Sequence, residues 1–201
     1  MELYLDVGRS PQERAKDLLA RMDIEEKMAQ VAGVFPRSFE DIEALPQECP
    51  HGAGQVSCLE MRQLPTLEDA ARFQRRAQEL LMAASEHHIP AIFHMEGLCG
   101  AYVQGAASFP SGLGRASGWD PQLEEESARV VGRQERAVGV TQTFAPVLDI
   151  SRDSRMGRQG ETYGESSCLL IRFIRLFANS KVIFSLSGCS SLNFSNKPTI
   201  F

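Results

Sequence analysis

The chain has 201 residues, is 43% hydrophobic and 23% charged, and carries a formal net charge of -5. This composition is typical of a globular protein and excludes a disordered or fibrous one. The acidic balance argues against nucleic acid as a partner, because nucleic-acid binders usually present a basic surface. No apolar run approaches the roughly 20 residues of a membrane span, and the first residues lack the apolar core of a secretory signal. We therefore expect a cytoplasmic protein with no membrane partner, and with its five cysteines reduced.

Residues 10–31 favour helical structure. Ser10 suits an N-cap and Pro11 suits the first helical position. Asp23 and Glu26 have the spacing of a capping box, which predicts that a second helical segment opens there. Prolines, glycines and scattered acids predict a loop from Pro36 to Gly54.

The middle of the chain alternates between strand and helix patterns. After a short candidate strand at residues 54–58, an apolar stripe predicts a long helix over 66–88 and a buried strand over 89–95. A glycine-rich loop is predicted next, then a helix over 120–137, capped by its aspartate and proline, and then a strand over 140–150. A polar loop follows to Glu165. This alternation predicts an α/β protein with parallel strands and crossover helices.

The composition changes abruptly after Glu165. From Ser166 to Phe201 there is no aspartate or glutamate, while serine, phenylalanine, isoleucine, leucine and asparagine dominate. We interpret residues 171–201 as an atypical tail, of the kind that a frameshift or read-through would produce, and residues 1–170 as the domain proper. The alternative is a genuine helix over 168–177 followed by a disordered tail.

Three ordered segments carry a resemblance to a known family. They are ERAKDLLARMDIEEKMAQV, then IPAIFHMEGLCG with the glycine-rich stretch and helix after it, and finally FAPVLDISRDSRMGRQGETYGE. In order and spacing they resemble the glycoside hydrolases of family 3, over about Tyr4 to Leu170. The third segment is the most specific, because the family carries an Asp-Pro-Arg-Trp-Gly-Arg run followed by Glu-Thr-Tyr-Gly-Glu.

The resemblance implies a (β/α)8 TIM-type barrel, of which this chain contains only the N-terminal strand–helix units. Family members are retaining hydrolases that remove terminal β-linked sugars such as glucose or xylose with two carboxyl groups. Both catalytic residues would lie beyond residue 170, so the resemblance implies an inactive fragment whose substrate is a β-linked oligosaccharide or glycoside. It implies no metal and no organic cofactor. A non-catalytic sugar-binding module or pseudoenzyme is the alternative.

The resemblance also points to substrate-binding residues. Glu96 follows the 89–95 strand, at the end of a barrel strand where ligands bind, and the family commonly has an aspartate there that accepts hydrogen bonds from the terminal sugar. Arg158 matches the second arginine of the family run, and its fork of donors suits sugar hydroxyls or that carboxylate. Arg152 lies either near the sugar or in an ion pair of the loop, together with Asp153 and Arg155. The glutamate at position 96, in place of the family's aspartate, slightly favours xylose as the sugar that is bound.

Some positions depart from the family pattern. Cys99 stands where many members have histidine, Met156 where they have tryptophan, and Ser154 where they have proline. These changes remove a polar contact and weaken the expected rigidity of the loop. Strand alternation places His94 on the same face as Glu96, where we expect a packed histidine. An incomplete parallel sheet also predicts self-association through exposed sheet edges.

Overall fold

The computed structural model describes residues 2–167, so the tail predicted from residue 171 lies outside the described residues. The helices and strands alternate along the chain as the sequence predicts. In chain order they are α1 (Pro11–Arg21), α2 (Ile24–Val31), β1 (Gly33–Val34), α3 (Phe39–Glu48), β2 (Gln55–Ser57), α4 (Leu67–Ala84), β3 (Ile92–Met95), α5 (Gly112–Ala116), α6 (Pro121–Ala137) and β4 (Gln142–Thr143).

The four strands form one parallel sheet in the order β1-β2-β3-β4. Val56 pairs with Phe93, and Met95 pairs with Thr143, so these side chains share one face. Because each crossover carries a helix, the arrangement is the parallel α/β architecture predicted from the sequence. Within the described residues, β1 and β4 each pair with one strand only and are therefore the edges of the sheet. The predicted self-association would take place through these edges.

The core lies between the sheet and the helices. In β3, Phe93 and Met95 are each 1% exposed, whereas Ile92 is 45% exposed. Phe93 and Met95 belong to the same buried cluster as Phe73 and Leu81 of α4. The alternation predicted for this strand is therefore confirmed, and the face of Ile92 is the one that the helices do not cover.

The helix starts follow the capping signals in the sequence. The side chain of Asp23 accepts from the Glu26 N–H, and the Glu26 carboxylate accepts from the Asp23 N–H, which confirms that a second helix opens there. Thr66 caps α4 in a similar way, through the Asp69 N–H. The helix α4 ends at Ala84, four residues before the predicted end at residue 88.

The prediction of a loop from Pro36 to Gly54 was wrong, because α3 lies within it. The Ser38 side chain caps this helix by accepting from the Asp41 N–H. Its inner face carries Ile42, which is fully buried, and its Phe39 ring meets the Phe73 ring of α4 edge-on at 5.5 Å. Burial of this face outweighs the proline near the end of the helix, which forfeits a backbone hydrogen bond.

One predicted strand is much shorter than expected, and one strand was not predicted. The strand predicted over 140–150 pairs only at Gln142–Thr143, and the chain then passes through a cis peptide bond between Ala145 and Pro146. Proline has no N–H to donate to a neighbouring strand, which is consistent with the early end of pairing. The short strand β1 was not predicted, since two residues carry no alternation. Within residues 2–167, no helix is both long and apolar enough to cross a membrane.

Candidate sugar-binding site

Glu96 directly follows β3, at the carboxyl end of the sheet. Its side chain is half-buried, and this burial raises the pKa of the carboxyl above its ordinary value. The charge of Arg158 opposes that rise in pKa, whereas Glu161 adds to it. The structure therefore brings Glu96 and Arg158 into one electrostatic neighbourhood, although they are 62 positions apart in the sequence.

Arg158 is held by Glu161. Its Nε lies 3.0 Å from both carboxylate oxygens of Glu161, and its Nη2 lies 2.5 Å from Oε2. Because the Arg158 side chain is 63% exposed, the pair contributes little to stability. The pKa of Arg158 is raised chiefly by Glu161, with smaller contributions from Glu96 and Asp149. The guanidinium is thus preorganised near Glu96 and remains accessible to a ligand.

A buried cluster anchors the loop that carries Arg158. The Tyr163 hydroxyl donates to Glu124 Oε1 at 2.5 Å and accepts from Arg115 Nη2 at 2.9 Å. Arg115 Nε lies 3.2 Å from Glu124 Oε2, and both of these side chains are almost fully buried. This cluster was not predicted from the sequence. Its only signal was the tyrosine of the Glu-Thr-Tyr-Gly-Glu phrase, which gives no indication of its partners in α5 and α6.

The loop backbone also lies close against α5. A Cβ at Gly112 would come within 2.4 Å of the carbonyl oxygen of Glu161 and 2.9 Å of that of Thr162. Only glycine permits this approach. The prediction of a loop throughout the glycine-rich segment was therefore wrong, because the segment contains the short helix α5, packed against the backbone of Glu161 and Thr162.

The other predicted loop residues are exposed. Asp153 accepts from the Arg155 guanidinium at 2.8 and 3.1 Å, in agreement with the ion-pair role expected for these two residues. Arg152 is exposed, and its predicted role near the sugar stays a prediction. Met156, at the family's tryptophan position, is 38% exposed.

His94 behaves as a packed side chain. Its ring lies 4.4 Å from the Phe144 ring, and burial lowers its pKa. Cys99 is exposed, with its sulfur outside any disulfide in the described residues. Residues 2–167 contain no group of three or more histidine, cysteine, aspartate or glutamate side chains arranged to hold a metal ion.

The helix-covered side of the sheet contains one more carboxyl near this site. Glu135 of α6 is 2% exposed and accepts a hydrogen bond from the Thr143 hydroxyl at 3.2 Å. Burial, reinforced by the nearby Glu96, raises the pKa of Glu135 to about 8. The site can thus offer a sugar one partly exposed carboxylate and one guanidinium, with a neutral acid behind them.

These strand–helix units form a four-stranded parallel sheet with Glu96 at its carboxyl end, which is the architecture of one part of an α/β barrel. The sequence profile of the glycosyl hydrolase family 3 N terminal domain matches residues 24–180. The chain belongs to this family.

Curated relatives and solved structures agree with the family assignment. The chain is 30% identical to a periplasmic β-glucosidase of Salmonella typhimurium over 76% of its own length, and 36% identical to a β-xylosidase of Formosa agariphila over 42% of it. A solved β-glucosidase structure from Erythrobacter marinus superposes over 89% of the chain with a TM-score of 0.78 and 26% identity. The chain spans only 18%, 12% and 24% of these three proteins.

Proposed function

We propose that this chain forms part of the pocket that holds the terminal, non-reducing sugar of a β-glucoside or β-xyloside. The observation that carries the proposal is the placement of Glu96 at the carboxyl end of β3 with Arg158 acting on its carboxyl. In α/β barrels this end of the strands is the ligand-binding end. The names of the relatives, β-glucosidase and β-xylosidase, supply the two sugar classes.

Glu96 supplies the acceptor in this proposal. An ionised carboxylate accepts hydrogen bonds from two adjacent hydroxyls at once, which fixes the orientation of a sugar ring. Partial burial of Glu96 lowers competition from water and strengthens each of these bonds. Arg158 supplies donors to a further hydroxyl or to the carboxylate itself, while Glu161 keeps its fork in place.

We further propose that the chain binds sugar without cleaving the glycosidic bond. Retaining hydrolysis needs two carboxyl groups about 5 Å apart on either side of that bond. Two carboxyl groups interact electrostatically with Glu96. Glu135 is buried on the helix side of the sheet, and Glu161 forms an ion pair with Arg158. Neither is available as a nucleophile or as an acid for a leaving group.

Calorimetric titration tests the binding. We expect methyl β-D-glucoside or methyl β-D-xyloside to bind the chain with measurable heat, and Glu96→Gln to weaken this binding by about tenfold, since a charged acceptor is lost. Glu86→Gln is the matched control, because Glu86 is an exposed acid on the loop before β3. An absence of binding, or equal binding by the Glu96→Gln variant, would reject the sugar pocket.

A chromogenic assay tests the absence of hydrolysis. We expect 4-nitrophenyl β-D-glucoside and 4-nitrophenyl β-D-xyloside to release nitrophenol at the rate of the buffer blank. Release above the blank that disappears in the Glu96→Gln variant would show that the chain itself hydrolyses glycosides.

A further inference from the structure

Glu135 is a buried acid that the sugar-binding proposal does not use. It lies in α6 and is 2% exposed, and its hydrogen-bond donor Thr143 in β4 is 1% exposed. A carboxyl group this deeply buried is stable only when it is neutral or well supplied with donors.

The backbone immediately after Glu96 lies directly against this pair. A Cβ at Gly97 would come 2.2 Å from Thr143 Oγ1 and 3.0 Å from Glu135 Oε1. Gly97 continues the helix-facing side of β3, on which Met95 pairs with Thr143. Glu96 continues the opposite side, with Ile92. The peptide that carries Glu96 is thus held between the sugar-binding side and the Glu135–Thr143 pair.

We propose that the Glu135–Thr143 pair is a positioning element, which holds the Gly97 backbone so that Glu96 faces the sugar hydroxyls, and that ionisation of Glu135 weakens sugar binding by placing a second negative charge beside Glu96. The inference deepens the proposed function and rests on it. While Glu135 is neutral, Glu96 carries the only negative charge of these two side chains. Ionisation would place a second negative charge on the other side of the same peptide.

Burial favours the neutral form of Glu135, whereas the hydrogen bond from Thr143 favours the ionised form. The groups that face it from neighbouring elements are Thr143 of β4, Glu96 after β3, and the Cys58 thiol after β2, whose own pKa is raised by burial and then by Glu135. None of these three is a cation. Burial therefore dominates, and the pKa of Glu135 rises to about 8, which puts its ionisation within an accessible pH range.

Sugar affinity measured at two pH values tests the proposal on the full chain. From pH 6 to pH 9 we expect the dissociation constant of methyl β-D-xyloside or methyl β-D-glucoside to rise by about threefold or more in the unmodified chain, because Glu135 ionises. Glu135→Gln keeps the size and neutrality of the protonated acid, so its affinity should stay constant. Glu126→Gln, an exposed acid of the same helix, should behave like the unmodified chain. A fall in affinity that persists in the Glu135→Gln variant would overturn the proposal.

Variants of Thr143 separate positioning from charge. Thr143→Val removes the hydroxyl at nearly constant volume and should weaken sugar binding at pH 6, whereas Thr143→Ser keeps the hydroxyl and should retain affinity. If Thr143→Val remains folded and binds as tightly as the unmodified chain, the positioning role is excluded.

Carboxyl carbon resonances give a readout that needs no sugar. In a chain labelled at the glutamate Cδ, the Glu96 signal, assigned with Glu96→Gln, should show a second titration step near pH 8 that Glu135→Gln abolishes. If no sugar binds but this second step is present, the proposed function fails and the Glu135–Glu96 coupling remains. If the second step is absent, the inference on Glu135 fails whether or not sugar binds.

Discussion

The Tyr163 hydroxyl and the Glu124 carboxylate meet at 2.5 Å, across 39 positions of sequence. This contact joins the loop that carries Arg158 to the helix α6, and Arg115 of α5 completes it through an ion pair at 3.2 Å. A buried ion pair of this kind is costly to break on one side, because the remaining charge is left without its partner. The cluster thus fixes the position of the loop that carries Arg158, the predicted sugar-binding arginine.

Tyr163→Phe should lower the free energy of unfolding by about 1–2 kcal/mol, because Glu124 and Arg115 each lose a buried hydrogen-bond partner. Urea unfolding followed by circular dichroism measures the change. Tyr102→Phe is the matched control, since Tyr102 is half-buried and lies outside the cluster. Equal effects of the two substitutions would argue against the anchoring role of Tyr163.

Glu135→Gln should remove a pH dependence of stability. The folded-state pKa of Glu135 is about 8 and its ordinary value is 4.5, so the folded chain binds the proton more tightly than the unfolded one. The contribution of this group is fully present below pH 4.5 and is lost as the pH rises towards 8. We expect the unmodified chain to lose stability relative to the Glu135→Gln variant over this window. A constant difference between the two from pH 5 to pH 8 would contradict the raised pKa.

The sequence predicted those parts of the fold that depend on local signals. Capping residues such as Asp23 and Thr66 and the alternation in β3 were confirmed, because each depends on neighbours within a few positions. The helix α3 was missed, because its stability comes from burial of Ile42 against α4 and outweighs its proline. Local pattern contains no information on such packing.

The residues of the candidate site fall into the same two groups, those predicted from the sequence and those that depend on tertiary structure. The apolar pattern of residues 89–95 placed Glu96 at the end of a strand, and in the structure the charge of Arg158 acts on the Glu96 carboxyl. The sugar-binding roles of Glu96, Arg158 and Arg152 stay predictions. The Tyr163–Glu124 contact and the approach of Gly97 to Thr143 depend on tertiary structure, and no spacing in the sequence indicates them.

Gly54→Ala should be strongly destabilising. A Cβ at Gly54 would lie 1.9 Å from the carbonyl oxygen of Gln30, which is backbone and cannot rotate away. We expect a loss of more than about 3 kcal/mol, or failure to fold. Gly160→Ala is the matched control, since its Cβ would meet nothing within 4 Å. Thermal unfolding of both variants checks this, and a Gly54→Ala variant as stable as Gly160→Ala would contradict the packing of α2 against β2.

Thiol labelling reports whether the chain adopts this fold in solution. Cys58 is fully buried, and burial raises the pKa of its thiol, so iodoacetamide should modify it far more slowly than the exposed Cys99. Peptide mapping by mass spectrometry measures the two rates separately. In urea the two rates should converge. Equal rates without urea would show that the core around Cys58 is not formed.

Glu96 and Arg158 are proposed to hold the same sugar, and a double-mutant cycle across the two residues tests this proposal most directly. Calorimetry gives the dissociation constant of methyl β-D-xyloside or methyl β-D-glucoside for the unmodified chain, Glu96→Gln, Arg158→Gln and the double variant. We predict that each single change weakens binding by about tenfold, and that the double change weakens it by less than the product of the two, since both act on one hydrogen-bonded network. Single variants that bind as tightly as the unmodified chain, or two losses that multiply in full, would contradict a shared sugar site.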